Sequence, residues 1–177
     1  SERVYDGTNI IEAVGTVGTY SDGGKAKDMD DVSVNATLSI IGKDVGTYTP
    51  SNEVITIKKY ALSGADAKNY KLPKPIPTGK IETSGTSLII KERPVTVSGF
   101  TADDKDYDQS TVATLSSNNV VVANIVNGEN LNVTAKGTFT DKNVERDGSG
   151  EEINKTVNIS DIALSDGTNG KASNYVL

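Results

Sequence analysis

Val32-Ser33-Val34-Asn35-Ala36-Thr37-Leu38-Ser39-Ile40 alternates apolar and polar residues without a break. Alternation with period two sends successive side chains to opposite faces, so the stretch predicts a strand with one face in a core and the other in water. Further along, Leu131-Asn132-Val133-Thr134-Ala135-Lys136-Gly137-Thr138-Phe139 carries the same pattern. No segment of helical length shows an apolar stripe at 3.6-residue spacing. The chain is therefore expected to be all-β.

Working outward from these two strands, the flanking sequence repeats as well. Tyr5-Asp6-Gly7-Thr8-Asn9 returns as Tyr107-Asp108-Gln109-Ser110-Thr111, 102 residues on. Ala61-Leu62-Ser63 returns as Ala163-Leu164-Ser165 at the same offset, while the two long strands are 99 apart and Asn69-Tyr70 lies 105 from Asn174-Tyr175. Small drifts of this kind are what loop insertions produce when the strands between them are kept. Two modules are expected, over residues 1–80 and 86–177. A module of roughly 80 to 95 residues can fold without a metal or a disulfide, though with little margin.

Other strands are expected around Ile55 and Ile57, Val157 and Ile159, Leu88-Ile89-Ile90, and Val95-Thr96-Val97. Residues 120–126, the Asn127-Gly128 pair and the strand from Leu131 read as a hairpin, because Asn-Gly supplies the positive φ angles of a tight turn. Asp22-Gly23-Gly24 fills that part in the first copy. Pro73, Pro75, Pro77, Gly79 and Gly85 break regular structure and predict an extended connector over 73–87. Residues 88–100 lead into the second copy, whereas the first copy opens almost at its Tyr-Asp-Gly. Module one is thus read as lacking its first strand, in a chain taken from a longer array, unless the connector strand completes its sheet. The architecture expected is two tandem β-sandwich-like (Ig-like) modules, with β-grasp-like modules as the alternative.

Composition narrows the chemistry. Eighteen Lys and Arg against 24 Asp and Glu give a net charge of −6, a field that repels phosphate backbones and anionic lipid. Aromatic residues are 5% with no Trp, so the platforms on which single-stranded bases stack are missing too. The longest apolar run, Val120-Val121-Val122-Ala123, is far too short to span a bilayer. Neither nucleic acid nor membrane insertion is expected, and the chain is read as a monomer. With no His and no Cys, the usual triads, thiol nucleophiles and imidazole metal sites are excluded. A pair of carboxylates could still serve a glycosidase, but nothing marks such a pair. No enzyme is expected.

Three ordered motifs carry a resemblance: Arg3-Val4-Tyr5-Asp6-Gly7-Thr8, Gly42-Lys43-Asp44-Val45-Gly46, and Leu62-Ser63-Gly64-Ala65-Asp66-Ala67-Lys68-Asn69-Tyr70. Together they resemble the YDG-type repeat of large bacterial surface proteins. The second copy keeps Tyr107-Asp108, Phe139-Thr140-Asp141-Lys142-Asn143-Val144 and Ala163-Leu164-Ser165. It departs at Gln109, where the motif has Gly, and at 166–173, where the closing turn is longer. The resemblance implies an extracellular, adhesin-like repeat on a bacterial cell surface and no defined ligand.

No catalytic, cofactor-binding or metal-ligating residue is singled out. The repeated Tyr-Asp reads as architecture: the ring caps one end of a core and the carboxylate accepts N–H bonds from its turn. Asp103-Asp104-Lys105-Asp106-Tyr107-Asp108 sets carboxylates at alternate positions, where Ca²⁺ would find oxygens, but lacks the Gly and distal Glu of an EF-hand loop. Asp28-Met29-Asp30-Asp31 has less pattern still, and both clusters read as solvated loops. Composition leaves open a Lys-to-Asn or Lys-to-Asp isopeptide staple and picks out no trio for it. The functional expectation is a non-catalytic stalk and adhesion region. Its partners would be neighbouring repeats and a host glycan or matrix protein, met at the loops 21–31, 146–152 and 166–173. The alternatives are an accessory carbohydrate-binding module of a secreted enzyme and a spacer with no ligand.

Overall fold

The computed structural model describes residues 1–16, 30–72, 74–75, 78–81 and 87–177. It divides into two compact units, Ser1–Glu92 and Arg93–Leu177. Among the described residues both are built from strands, with one short 3-10 turn apiece, Ala67–Asn69 and Ala172–Asn174. The expected all-β class is the class observed.

In the first unit the strands are β1 (Glu2–Val4), β2 (Ile10–Thr16), β3 (Ser33–Ser39), β4 (Gly46–Tyr48), β5 (Thr56–Ser63), β6 (Gly79–Lys80) and β7 (Leu88–Lys91). The main sheet runs β2-β3-β5-β6, antiparallel throughout, with the alternating stretch from which the fold was read as its second strand. Leu38 faces Ile11 on one side and Ile57 on the other. A smaller sheet runs β1-β7-β4, with β7 parallel to β1 and antiparallel to β4. Tyr5, Ile11, Leu38, Ile40, Ile55, Leu88 and Ile90 form the core, none more than 4% exposed. Two of those seven side chains come from β7. At roughly 1.5 to 3 kcal/mol for each large aliphatic group taken out of water, that strand is a substantial part of what holds the unit together.

The strand β7 was expected to lead into the second module, and its hydrogen bonds place it inside the first. The alternative reading, a connector strand completing the first sheet, is the one realised. Part of the Pro/Gly segment is also regular: Gly79–Lys80 lengthens the main sheet, and Ile81 donates its N–H to the Ile55 carbonyl at 2.8 Å. The expected Asp22-Gly23-Gly24 turn lies outside the described residues.

The second unit contains β8 (Arg93–Pro94), β9 (Thr96–Ser98), β10 (Thr101–Ala102), β11 (Val112–Ala113), β12 (Leu115–Ser116), β13 (Val121–Ala123), β14 (Leu131–Phe139), β15 (Val157–Asp166) and β16 (Tyr175–Val176). Its sheet β11-β14-β15 repeats β2-β3-β5. Where Ile11 faces Leu38 in the first unit, Ala113 faces Gly137 here. Leu115 takes up the space these small residues leave, since a Cβ on Gly137 would lie 2.7 Å from its Cδ2.

The hairpin expected from Asn127-Gly128 does not form. Residues 127–128 do make a turn, with Gly128 at φ 84°. The strand before it, β13, pairs instead with β9. Arg93 and Asn124 decide this: the guanidinium Nε donates to the Asn124 carbonyl at 2.6 Å and Nη2 to its Oδ1 at 2.7 Å, while Asn124 Nδ2 donates to the Pro94 carbonyl at 2.7 Å. That three-bond clamp fixes β13 against the lead-in strand.

Candidate functional site

Two constructions recur in both units, and each uses side chains that the repeat keeps. The first surrounds the Tyr-Asp pair. Arg3, two residues before Tyr5, pairs with Asp6 Oδ1 at 2.7 Å and donates to the Thr8 carbonyl, while Asp6 Oδ1 accepts the Thr8 N–H and hydroxyl, both at 2.8 Å. In the second unit Lys105 pairs with Asp108 Oδ1 at 2.8 Å and donates to the Ser110 carbonyl at 3.0 Å, and Asp108 Oδ1 accepts the Ser110 N–H at 2.9 Å. The two turns are the same Asx turn with an ion pair behind it. Gly7 sits at φ 79° and Gln109 at φ 64°, so the glutamine takes up the left-handed conformation that the glycine allows.

Electrostatics follow from these contacts. Burial pushes the Asp6 carboxyl up, but the Thr8 bonds and Arg3 outweigh it and hold the group below the ordinary aspartate value. Asp108 is likewise held low, first by Lys105 and then by the Ser110 N–H. Both carboxylates are tied to their own backbone.

The second construction closes each unit. Asp31 Oδ2 accepts the Ala65 N–H at 2.9 Å, its carbonyl accepts the Asp66 N–H at 3.1 Å, and Asp66 Oδ2 accepts the Asp31 N–H at 2.9 Å. Gly64, at φ 106°, lies so close that any Cβ would run into the Asp31 carbonyl. Asn130 does the same work in the second unit, its Oδ1 accepting the Thr168 N–H at 2.8 Å and its own N–H donating to Asn169 Oδ1 at 3.1 Å. Beside each clasp a tyrosine donates its hydroxyl to the preceding acid, Tyr70 to Asp30 and Tyr175 to Glu129. The longer turn at 166–173 thus keeps the clasp of the shorter one.

What differs is what covers the tyrosines. Tyr5 is 1% exposed beside β7, to which its N–H extends the β1 ladder, donating to the Lys91 carbonyl at 2.8 Å. Tyr107 is 54% exposed, and residues 103–108 form no strand. At the other end the pattern reverses. Asn174 and Tyr175 are buried where β16 pairs in parallel with β8. Tyr70 is half-buried and lines an open groove with Leu62, Ala67, Lys68, Lys71 and Leu72.

The expected capping role of the Tyr ring therefore holds for Tyr5 and fails for Tyr107. Of the acidic clusters, Asp30 and Asp31 serve the clasp and Asp108 its Asx turn, Asp103, Asp104 and Asp106 are exposed, and Asp28 and Met29 lie outside the described residues. Among the described residues no group of three Asp or Glu side chains is placed to hold a metal ion. Of the variable loops, 146–152 is tied by Arg146 to Glu152 at 2.9 Å and by Asp147 Oδ1 to the Ser149 and Glu151 N–H groups. Ala172 N–H to Asp166 Oδ1 at 2.8 Å ties 166–173. Residues 21–29 of the third loop are outside the described set. One Lys with two acids does come together: Lys155 Nζ lies 2.7 Å from Asp141 and 3.5 Å from Glu145. Lys155 and Asn143 hold the Asp141 carboxyl below its usual value, and both acids are about half exposed. An ionised, hydrated carboxylate is a poor electrophile, so the contact is an ion pair rather than an amide in waiting.

Sequence reading missed the cation two residues before each Tyr and the Asp31/Asn130 acceptors. Arg3 and Lys105 could have been found at the 102-residue offset, and Asp30-Asp31 and Glu129-Asn130 at the 99-residue offset.

The family model of the YDG domain matches residues 1–78 and again 91–177. Neither a curated protein nor a solved structure matches the chain. The chain belongs to the YDG domain family and carries two copies of the domain.

Proposed function

We propose that this pair of YDG domains is a non-catalytic stretch of a secreted bacterial surface protein, exposed outside the cell, serving as a stalk and in adhesion. One observation carries the reading. The polar side chains common to the two copies, Arg3 and Lys105, Asp6 and Asp108, Asp31 and Asn130, Tyr70 and Tyr175, each put a donor or acceptor to holding a turn of its own unit. A unit whose repeated residues fix its own shape is suited to being strung in series, where each copy contributes length and weak contacts add through multivalency.

The partner class we propose is a host glycan or matrix protein, met at polar loops that differ between copies, 146–152 and 166–173. The test is saturable binding of the chain, displayed multivalently, to a panel of glycans, mucin and matrix proteins. A saturable hit lost when the 146–152 or 166–173 loop is replaced supports adhesion. No binding by a chain that melts cooperatively overturns adhesion and leaves the stalk. Binding to plant or microbial polysaccharide alone would instead favour an accessory module.

A further inference from the structure

The two units are completed from opposite ends. In the first, β7 lies between β1 and β4, buries Leu88 and Ile90 at 1% exposure each, and accepts the Tyr5 N–H at its Lys91 carbonyl. Lys91 at its end pairs with Glu2 at 2.7 Å. In the second, the lead-in strand β8 pairs with the buried Tyr175, and Val95 N–H donates to the Val176 carbonyl at 2.8 Å. Leu88–Lys91 and Arg93–Pro94 are one run of sequence with Glu92 alone between them. Its first half belongs to the unit before it and its second half to the unit after.

Of the two sides of the bed that holds β7, the second unit offers one: 103–107 stand where β1 does, while 145–147, where β4 stands, pair with 151–153. At the 102-residue offset Ser1, Glu2, Arg3, Val4 and Tyr5 correspond to Asp103, Asp104, Lys105, Asp106 and Tyr107. Arg3 and Lys105 each pair with the aspartate of the same turn, so the turn that follows β1 in one unit is kept in the other. Tyr107 is 54% exposed against 1% for Tyr5, and Val144 is 48% exposed where Val45 is half-buried. Asp104 stands where Glu2 meets the strand's lysine. The family match itself leaves out residues 79–90, so most of β7 falls outside the repeat as a sequence unit while lying inside it as a structural one.

We infer that the Tyr107 end of the second unit is an acceptor for an extended segment of the Leu88–Lys91 kind, two aliphatic side chains alternating with polar ones and a lysine at the end, delivered by a following repeat. Strand addition of this type draws affinity from main-chain hydrogen bonds and register from the pockets that take alternate side chains. Consecutive repeats would then be joined by an element that neither can lose without exposing its core. The open groove beside Tyr70 is the mirror image: at the 105-residue offset it corresponds to Tyr175-Val176-Leu177, where β8 lies in the second unit. The inference holds whatever the stalk binds, and its failure would leave the adhesion reading untouched.

Leu177 corresponds to Leu72, so appending a copy of residues 73–92 directly after Leu177 reproduces the spacing of the first unit. Hydrogen exchange and tyrosine nitration, resolved by peptide mass spectrometry, are compared for the natural chain, the extended chain and an extended chain carrying Leu88→Asp and Ile90→Asp in the appended copy only. The expected result is exchange slowed at least tenfold at 104–107 and Tyr107 nitrated as slowly as Tyr5, in the unsubstituted extension alone. Equal exchange and nitration of Tyr107 in all three chains overturns the inference, as does equal protection by both extensions or protection that appears only in the first unit.

Discussion

The two units share a sheet, an Asx turn and a clasp, yet the first buries a larger core at its Tyr-Asp end than the second. Where Ser1–Glu92 places Tyr5, Ile11, Leu38, Ile40 and Ile55, Arg93–Leu177 places Tyr107, Ala113, Gly137, Phe139 and Val157, and of these only the two small residues are fully buried. Side-chain size explains part of this. The other part lies with one strand: Tyr5 and Tyr107 are the same residue type in the same turn, and only the first is hydrogen-bonded to β7. Burial in this fold is therefore set by what pairs with a residue as much as by the residue.

The sharpest way to break the comparison is to truncate both tyrosines. Tyr5→Ala removes a ring from a closed core and is expected to destabilise the first unit by about 3 to 5 kcal/mol. Tyr107→Ala removes a ring already half in water and is expected to cost the second unit less than about 1 kcal/mol. Denaturant unfolding followed by unit-resolved hydrogen exchange separates the two. Equal losses would mean that the exposed ring is carrying contacts the buried one was thought to need.

At the other end the order should invert. Tyr175 is buried and bonds Glu129 at 2.7 Å, and Tyr70 is half-buried against Asp30. Tyr175→Phe removes a hydrogen bond made from a buried ring and is expected to cost about 1.5 to 3 kcal/mol; Tyr70→Phe, which removes one made from a half-buried ring, is expected to cost about half of that or less. Thermal melts of the two single variants give the ranking directly.

How far the sequence could be read shows why these differences were not foreseen. The period-two stretches became β3 and β14 because a strand buried on one face writes that pattern locally. The Tyr-Asp turn was legible because an Asx turn closes within three residues. The hairpin at 127–128 was misread because a local turn signal competes with a long-range clamp, Arg93 to Asn124, that no window of sequence contains. The allegiance of Leu88–Lys91 was hidden for the same reason: its partners are at Glu2 and Gly46, and nothing in Leu-Ile-Ile says which of two cores it fills. Tyr107 and Tyr5 are indistinguishable by type, and what separates them is the partner strand and the size of the surrounding core residues.

A smaller effect sharpens the likeness of the two turns. Gln109 holds φ 64°, a region costly for a residue with a Cβ, where the first unit has Gly7. Gln109→Gly is expected to stabilise the second unit by up to about 1 kcal/mol, and Gly7→Gln to destabilise the first by a similar amount or more. A pair of opposite shifts in denaturation midpoint checks it. Shifts of the same sign would show that the turns differ in more than their side chain.

The smallest effect concerns acid, and its sign is fixed by the same turns. The Asp6 and Asp108 carboxyls are held below the ordinary value in the folded chain. Between the folded and unfolded values the unfolded chain binds more protons, so stability rises with pH there. The contribution is complete above the unfolded aspartate value of about 3.9 and disappears as pH falls through the lower folded value. Asp6→Asn keeps an oxygen to accept the Thr8 N–H while removing the titration. The melting temperature of its first unit is therefore expected to fall less steeply than the natural chain's below about pH 4. Asp108→Asn should flatten the second unit's curve in the same direction. Because both groups are reached by water, the change is small beside that from either buried tyrosine. An unchanged slope in both variants would assign the acid response to other carboxylates, with Asp141 and Asp147 of the second unit, both also held low by hydrogen-bonded neighbours, the next to replace.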